Sequence, residues 1–443
     1  MHIQVVGASR PQFDRDQAHA VLNQVAEVVR SLGYASRKPP PMLTEWDVDR
    51  QLTPELMQDL HAADLVVVVV ATFVGADMIV KIIKGIEDKV ILWAVPEPSV
   101  GLGRLQLNSL CGAIITNNAL KLLGQQIPVV YADPKTDAAR RELESQLRVL
   151  ETVQALASTV LGVIGQRPSG YYPSDFDELQ LLSQFGLRVK RIPLERAFEY
   201  GQQVSDDAVQ AGVAEVRRLL ANSDAVDSQQ IVQSVRAEGG LRALMRDEGI
   251  QALCVECWPQ YMVDYGGAVC WANSRLIDDG IMAGCEADVH GTITMLIQKH
   301  LSGTSPFFGD LVHLAHDDRL VFWHCGAAPL SLAGEPQRAS VHPNRKVGLT
   351  VDFALKSGPV TVLRLHRDVS GQYSLMAIPG EALDDPLYFS GNTVAVRPRS
   401  DAKQVLAELL RDGAEHHFAV GYGVELGDVE RLANRLNIPL KIY

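Results

Sequence analysis

The sequence predicts an α/β protein with two doubly wound parallel-sheet domains, followed by a mostly antiparallel, barrel-like β domain. Three observations carry this prediction. Short apolar runs alternate with helical runs over roughly the first 300 residues, which is typical of parallel sheets covered by helices. After about residue 304 the pattern changes to alternating strands bounded by Gly, Asp and Pro, which favours an antiparallel sheet. The 443 residues are enough for about three domains.

We place the domain boundaries at residues 1–160, 161–303 and 304–443. The first domain has expected strands at 3–6, 65–70, 90–94 and 128–131, and expected helices at 16–32 and 137–160. The second domain has strands at 161–164, 187–192, 252–256 and 281–285, and helices at 207–220 and 228–248. The third has strands at 347–353, 360–366, 373–379 and 440–443, and a helix at 402–410.

Composition and charge exclude several classes of protein. The net charge is −12 and no basic patch is present, which argues against a nucleic-acid partner. The longest apolar run, 65–71, is too short to span a membrane. The chain starts with a strand and lacks the basic region of a signal peptide, and its six cysteines fit reduced thiols. We therefore expect a cytoplasmic protein without a membrane partner.

Three side chains between residues 285 and 332 are candidate metal ligands. Glu286 precedes the apolar helical run 289–301, and Asp310 follows it. The helix rises roughly 20 Å, and the seven extended residues after it cover about 23 Å. The chain can therefore return Asp310 beside Glu286, and the next strand ends at His324. Two carboxylates and an imidazole suit Mn²⁺, Mg²⁺, Co²⁺ or Fe²⁺ better than a thiolate-bound structural zinc.

A fourth candidate ligand lies far downstream, in the run Glu415-His416-His417. A histidine between a helix and a strand can lie at the mouth of a site. A single Glu, Asp or His at the end of an element is more often a cap or a solvated charge. Here four such residues can be brought together by the chain, and this makes a metal site about as strongly indicated as four separate caps or solvated charges. Spacing leaves open which histidine is the ligand.

These motifs resemble those of the L-fucose isomerase and L-arabinose isomerase superfamily, whose members are aldose–ketose isomerases with a divalent metal, usually manganese. In L-fucose isomerases a metal-binding Glu precedes a helix and an F-x-D strand carries the second carboxylate, at the interval of Glu286 to Asp310. L-arabinose isomerases have an E-G-D run, which reads Glu286-Ala287-Asp288 here. The run Phe322-Trp323-His324-Cys325-Gly326 is similar to shorter fucose-isomerase-like proteins. The resemblance covers nearly the whole chain.

The resemblance implies a metal set of Glu286, Asp310, His324 and His417, with Mn²⁺ as the expected ion. Alignment of the last strand favours His417 over His416. It also implies that Glu286 and Asp310 are the catalytic acid/base pair, which passes a proton between C1 and C2 of a sugar through a cis-enediol. Two departures matter. The chain is shorter than the well-known isomerases, so loops that select the sugar can differ, and Ala287 replaces the middle Gly of E-G-D.

Three side chains near the strand 252–256 are candidate substrate-binding residues, because open α/β sheets bind ligands at the carboxyl ends of their strands. Glu256 and Gln260 can bind sugar hydroxyls, and Trp258 can stack on a sugar or, equally, pack in a core. Arg10 can reach a substrate, including one bound in a neighbouring subunit. The ordinary interpretation is an arginine at the surface with no role in binding. We expect a monosaccharide substrate and a homo-oligomer with its active site near a subunit interface.

The sequence is compatible with three functions. The first is a metal-dependent aldose–ketose sugar isomerase that works through a cis-enediol. The second is the same chemistry on a modified sugar, such as a sulfonated one. The third is a non-catalytic sugar-binding protein, because two α/β lobes also form a sugar-binding cleft. The complete set of ligands favours catalysis, since binding alone does not need two carboxylates and two imidazoles. The sequence does not name the sugar.

Overall fold

Two units make up the chain, Met1–Leu150 and Glu151–Tyr443. The computed structural model describes residues 1–36, 39–101, 103–316 and 318–443. In these ranges no helix has the length and apolar character needed to cross a membrane. The cytoplasmic location and the three-domain division stay predictions.

The first unit is built on a five-stranded sheet in which every neighbouring pair of strands is parallel. Its strands are β1 (Ile3–Ser9), β2 (Met42–Thr44), β3 (Leu65–Val70), β4 (Val90–Ala94) and β5 (Val129–Tyr131). Its helices are α1 (Arg15–Ser31), α2 (Val48–Gln51), α3 (Pro54–Ala62), α4 (Ala76–Ile83), α5 (Ser109–Leu122) and the start of α6 (Asp137–Ser158). The order is β2-β1-β3-β4-β5. The central strand β3 reads LVVVVV and is buried throughout, because helices cover both faces of the sheet.

The second unit begins with a four-stranded parallel sheet in the order β7-β6-β8-β9. Its strands are β6 (Val160–Ile164), β7 (Arg188–Ile192), β8 (Ala252–Val255) and β9 (Ala283–Cys285). The helices up to the end of this region are α7 (Glu178–Phe185), α8 (Leu194–Gln202), α9 (Asp206–Leu219), α10 (Ser228–Glu248), α11 (Gln260–Asp264), α12 (Cys270–Asp278) and α13 (Val289–Ser302).

A barrel follows in the same unit. Its sheet contains β10 (Phe307–Ala315), β11 (Arg319–His324), β12 (Arg338–Val341), β13 (Leu349–Ala354), β14 (Gly358–Arg367), β15 (Tyr373–Ala382), β16 (Asn392–Pro398), β17 (His417–Tyr422) and β18 (Leu440–Ile442). Two helices accompany it, α14 (Ala402–Asp412) and α15 (Leu426–Arg435). Six strands close into an antiparallel ring, β16-β11-β10-β17-β14-β15, because β15 also pairs with β16. The predicted fold class is confirmed.

Helix α13 connects the parallel sheet to the barrel, since it contacts β8 and β9 as well as β14 and β17. Its side chains are buried around almost the whole helix, which suits a helix between two layers. Gln298 donates from Nε2 to the carbonyl oxygens of Thr361 and Ala419, at 2.7 and 2.9 Å, and so ties the helix to two barrel strands. At the other end of the helix, the N-cap Asp288 contacts His417, the first residue of β17.

Close contact between α8 and α10 gives a prediction for stability. A Cβ atom on Gly240 would lie 2.4 Å from the backbone nitrogen of Gly201 and 2.7 Å from its Cα. Gly240→Ala gains about 1 kcal/mol of helix propensity, but backbone atoms cannot move aside as a side chain can. We expect it to lower the free energy of unfolding by about 1–3 kcal/mol, as overpacked sites do. Urea denaturation measures this change.

The neighbouring Gly239→Ala is the matched control. The three atoms nearest to its added Cβ would all belong to the side chain of Val204, the closest at 3.1 Å. We expect this variant to be at least as stable as the parent. A Gly240→Ala protein that is as stable as Gly239→Ala would contradict the close approach of the two helices.

Candidate active site

The chain turns sharply between β9 and α13. Glu286 and Ala287 have φ values of 56° and 51°, a left-handed conformation that costs a residue with a side chain roughly 1–2 kcal/mol. Asp288 then caps α13, because its Oδ1 accepts a hydrogen bond of 2.8 Å from the nitrogen of Gly291. Backbone strain of this kind is common at functional sites.

Asp310 and His417 face each other across two barrel strands. The antiparallel register of β10 and β17 pairs these two residues directly, and side chains opposite each other in such a pair lie close together. Nε2 of His417 lies 3.2 Å from Oδ1 of Asp310 and 3.8 Å from Oε2 of Glu286. The parallel sheet and the barrel therefore bring two carboxylates to one imidazole nitrogen.

A buried ion-pair network contacts the other nitrogen of His417. Oδ2 of Asp288 lies 3.0 Å from Nδ1 of His417 and 2.6 Å from Nη1 of the fully buried Arg364. The Nε atom of Arg364 lies 3.4 Å from Oε2 of Glu415. Burial raises the pKa of Asp288, but Arg364 and His417 outweigh it and hold that pKa well below its usual range. In the tautomer in which Nδ1 of His417 donates to this carboxylate, Nε2 presents its lone pair to the other two carboxylates.

Two donors hold Glu286 in place. Trp258 donates from Nε1 to Oε1 at 2.9 Å, and Nε2 of His416 lies 3.1 Å from Oε2. Burial raises the pKa of Glu286, but His416, His417 and Trp258 lower it overall, so the charged form is favoured. The ring of Tyr171 packs edge-on against Trp258 and His416, with centroids 5.3 and 5.6 Å apart. These contacts leave Glu286 oriented toward His417.

The residues present fit a divalent cation. Ligand atoms of Glu286, His416 and His417 lie within 4.8 Å of one another, and Asp310 adjoins them through His417. Oδ1 of Asp310 is buried and makes no hydrogen bond within the described part of the chain. An acceptor in that position is free for a positively charged ligand. Carboxylate oxygen and imidazole nitrogen are donors that suit Mn²⁺ and related ions.

His324 lies at the end of β11, buried next to this group. Its ring centroid is 6.0 Å from that of His417, and its Nδ1 lies 3.5 Å from Sγ of Cys325. Cys325 belongs to a second group of potential ligands with Cys270 and His342, whose ligand atoms lie within 4.8 Å of one another. The structure thus places His324 between the carboxylate group and a thiol group.

Two of the candidate substrate-binding residues line a cavity of about 520 Å³ at the carboxyl edge of the four-stranded sheet. They are Glu256 and Gln260, and Ala287 lines the same cavity. Oε2 of Glu256 accepts a hydrogen bond of 2.8 Å from the nitrogen of Gln166. Trp258, by contrast, is engaged with Glu286.

Arg10 lies in the first unit, where its guanidinium pairs with Glu45 and stacks over the ring of Phe73 at 4.6 Å from the centroid. This pairing occupies Nε and one Nη atom of Arg10. Its expected role in substrate binding and the homo-oligomer stay predictions.

Comparison with known proteins identifies relatives along most of the chain. It is 33% identical to a sulfoquinovose isomerase from Alkalicoccus urumqiensis over 98% of this chain and 97% of the relative. It is 35% identical to one from Priestia aryabhattai over 84% of each chain, and 31% identical to one from Clostridium sp. (strain MSTE9) over 98% and 97%. The chain belongs to the sulfoquinovose isomerase family. Membership confirms the predicted enzyme class, an aldose–ketose isomerase.

Two other comparisons add nothing to this assignment. No family model matches the chain. A solved structure, the open, ligand-free form of a substrate-binding protein with adhesive properties from Clostridium difficile, is 10% identical with a TM-score of 0.16, covering 64% of this chain and 74% of that one. A likeness that low carries no argument. The finer resemblance to L-fucose and L-arabinose isomerases stays a prediction.

Three residues that support this site are not among those predicted from the sequence: Asp288, Arg364 and Tyr171. Asp288 was visible in the E-A-D run but was not considered as a functional group. Arg364 interrupts an apolar strand on the same face as Val362, which is a signal for a buried, paired charge. Tyr171 lies in the loop after β6, and no spacing rule connects it to His416.

Proposed function

We propose that the protein interconverts sulfoquinovose, a hexose with a sulfonate on C6, and the corresponding 2-ketose. The observation that carries this proposal is 31–35% identity to sulfoquinovose isomerases over 84–98% of the chain. The group formed by Glu286, Asp310 and His417 supports it, because an isomerase of this type needs acid/base groups at one place. Of the three functions compatible with the sequence, this is the modified-sugar isomerase.

We propose that Glu286, Asp310 and His417 hold a divalent metal through Oε2, Oδ1 and Nε2, with His324 as a fourth ligand. Manganese is the ion we expect. Such an ion supplies Lewis-acid stabilisation of the negative charge that develops on the sugar oxygens. His417 is favoured over His416 because Asp288 engages its Nδ1 and leaves Nε2 toward the carboxylates. His416 instead contacts the carboxylate of Glu286.

The proton transfer is assigned to Glu286 and Asp310. Isomerisation removes a proton from one of C1 and C2 and returns a proton to the other, through a cis-enediol. The two carboxylates come from separate segments, the β9–α13 turn and strand β10, so they can approach a substrate from different directions. Trp258 holds Glu286 through Oε1, and Nε2 of His416 contacts its Oε2, so the carboxylate is held in a fixed orientation. Glu256 and Gln260 are proposed to bind sugar hydroxyls from the adjoining cavity.

The test is conversion of sulfoquinovose by purified protein, followed by NMR. We expect an equilibrium mixture of aldose and ketose, no turnover after metal removal with EDTA, and recovery with Mn²⁺ or Co²⁺. The control is D-glucose, which has the same carbon chain without the sulfonate. Full turnover by the metal-stripped protein would exclude the metal assignment. Conversion of an unmodified aldose but not of sulfoquinovose would overturn the substrate, and binding without conversion would favour a sugar-binding protein.

A further inference from the structure

A loop between β12 and β13 places a guanidinium beside the candidate active site. Cζ of Arg345 lies over the ring of Trp258, 4.6 Å from its centroid. The same indole donates from Nε1 to Oε1 of Glu286 at 2.9 Å. The guanidinium is therefore one aromatic ring away from a carboxylate assigned to proton transfer.

The backbone, and not the guanidinium, shapes this loop. The nitrogen of Arg345 donates to Nδ1 of His342 at 3.3 Å, and the nitrogen of Lys346 donates to the carbonyl of His342 at 2.9 Å. Gly348 is anchored from its nitrogen to the side chain of Gln230. A change of the side chain at position 345 leaves all of these contacts in place. The loop therefore presents the guanidinium without depending on it.

Within the described residues, Arg345 makes no ion pair with a carboxylate. The two arginines that line the neighbouring cavity differ in this respect. Arg167 lies 3.5 Å from Asp175, and Arg191 lies 2.5 Å from Glu178. The guanidinium of Arg345 is therefore available to bind an anion, whereas those of Arg167 and Arg191 are already paired with carboxylates.

The separation fits the substrate. Through the indole ring, Cζ of Arg345 is at most about 10 Å from Oε1 of Glu286. An extended hexose chain carries a sulfonate on C6 roughly 8 Å from C1, given bond lengths near 1.5 Å. With C1 and C2 at the two carboxylates, the sulfonate reaches the guanidinium. The ring of Tyr171 packs edge-on against Trp258 in the same region, and aromatic rings of this kind can lie against an apolar carbon chain.

We propose that Arg345 binds the sulfonate of the substrate and thereby selects sulfonated over neutral sugars, an inference that rests on the proposed function. A planar guanidinium can donate two parallel hydrogen bonds to a tetrahedral oxyanion, which makes the contact directional as well as charged. A neutral sugar leaves Arg345 solvated and gains nothing from it. Arg345 thus acts on substrate affinity, whereas Glu286 and Asp310 act on the chemical step.

The test compares Arg345→Met, Arg345→Lys, the cavity variant Arg167→Met and the control Lys346→Met. Steady-state kinetics with sulfoquinovose should show a fall in kcat/KM of about 10- to 100-fold for Arg345→Met, the effect of losing hydrogen bonds to a charged group. We expect the loss to lie mainly in KM, with kcat within about threefold. Arg345→Lys should recover part of the loss, since it restores charge without the planar fork. Lys346→Met removes a neighbouring exposed charge and should match the parent.

Binding is measured in parallel, by calorimetric titration of each variant with sulfoquinovose and with D-glucose. If Arg345→Met binds sulfoquinovose more weakly than the parent and binds D-glucose equally well, the inference is supported. This holds even if the parent does not convert sulfoquinovose, and in that case only the proposed function fails. If the parent converts sulfoquinovose and Arg345→Met has an unchanged KM, the inference is overturned and the proposed function stands. An equal loss in Arg345→Met and Lys346→Met, or a loss in Arg167→Met alone, also overturns it.

Discussion

Glu286→Gln and Asp310→Asn are expected to lower kcat by about 10²-fold or more, the scale of a lost acid/base group. Each substitution keeps the size of the side chain and removes its ability to take up a proton. Glu286 keeps a donor from Trp258 at Oε1 in either form, so its orientation is retained. Rates should be measured at saturating metal and substrate, so that a weaker metal site is not mistaken for a lost proton transfer.

Asp318→Asn is a suitable control for these substitutions. Asp318 lies at the opposite end of the β10–β11 hairpin, where it pairs with Arg319 and Arg397 at the surface. Exposed ion pairs contribute little to stability, so this variant should keep its kcat. A near-normal kcat in Glu286→Gln or Asp310→Asn would remove that residue from the proton transfer. Circular dichroism establishes that the variants are folded.

The same proton transfer is visible in D₂O. A proton that passes through a carboxyl group can exchange with solvent, so deuterium should enter C1 or C2 of the product. A direct hydride shift between carbons gives no such exchange. Conversion over many turnovers without deuterium would count against the enediol route and against Glu286 and Asp310 as its acid/base pair.

Local patterns were enough to predict most of the fold. The run LVVVVV of β3 is short, rich in β-branched residues and apolar over both faces, which favours a strand buried between helices. The helix α13 follows from its apolar spacing and its glycine stop, and the chain length allows Asp310 to return beside Glu286. Strand β16 was not expected, although it closes the barrel. Its alternation is short, and the pairing of β15 with β16 is a long-range property that no local pattern carries.

The candidate site was predictable where side chains sit at the ends of elements. Glu286, Asp310 and His417 were named from the sequence and lie together in the structure. The preference for His417 over His416 depends on Asp288 and on the register of β10 with β17, neither of which spacing reveals. The position of Arg345 against Trp258 arises from two loops that are distant in sequence. Contacts of this kind require the tertiary structure.

Asp288→Asn is expected to affect both stability and metal binding. Asp288 and Arg364 are almost fully buried, and breaking a buried ion pair from one side costs about 3–5 kcal/mol. The amide oxygen can still accept from Gly291, so the cap of α13 is retained. The amide nitrogen, however, is a donor where His417 also donates from Nδ1. His417 must then shift its proton to Nε2, which removes the lone pair that faces Asp310.

The consequence is a metal affinity that falls by about 10- to 100-fold, the usual effect of losing the hydrogen bond behind a ligating histidine. Urea denaturation measures the first effect, and titration of metal-free protein with Mn²⁺ measures the second. Asp310→Asn separates the effect on metal affinity from the effect on stability. Asp310 takes no part in the Arg364 network, so loss of its charge should leave the free energy of unfolding unchanged. An Asp288→Asn protein with unchanged metal affinity but reduced stability would leave Asp288 with a structural role alone. Unchanged values of both would show that Glu415 is a sufficient partner for Arg364 and that another contact sets the tautomer of His417.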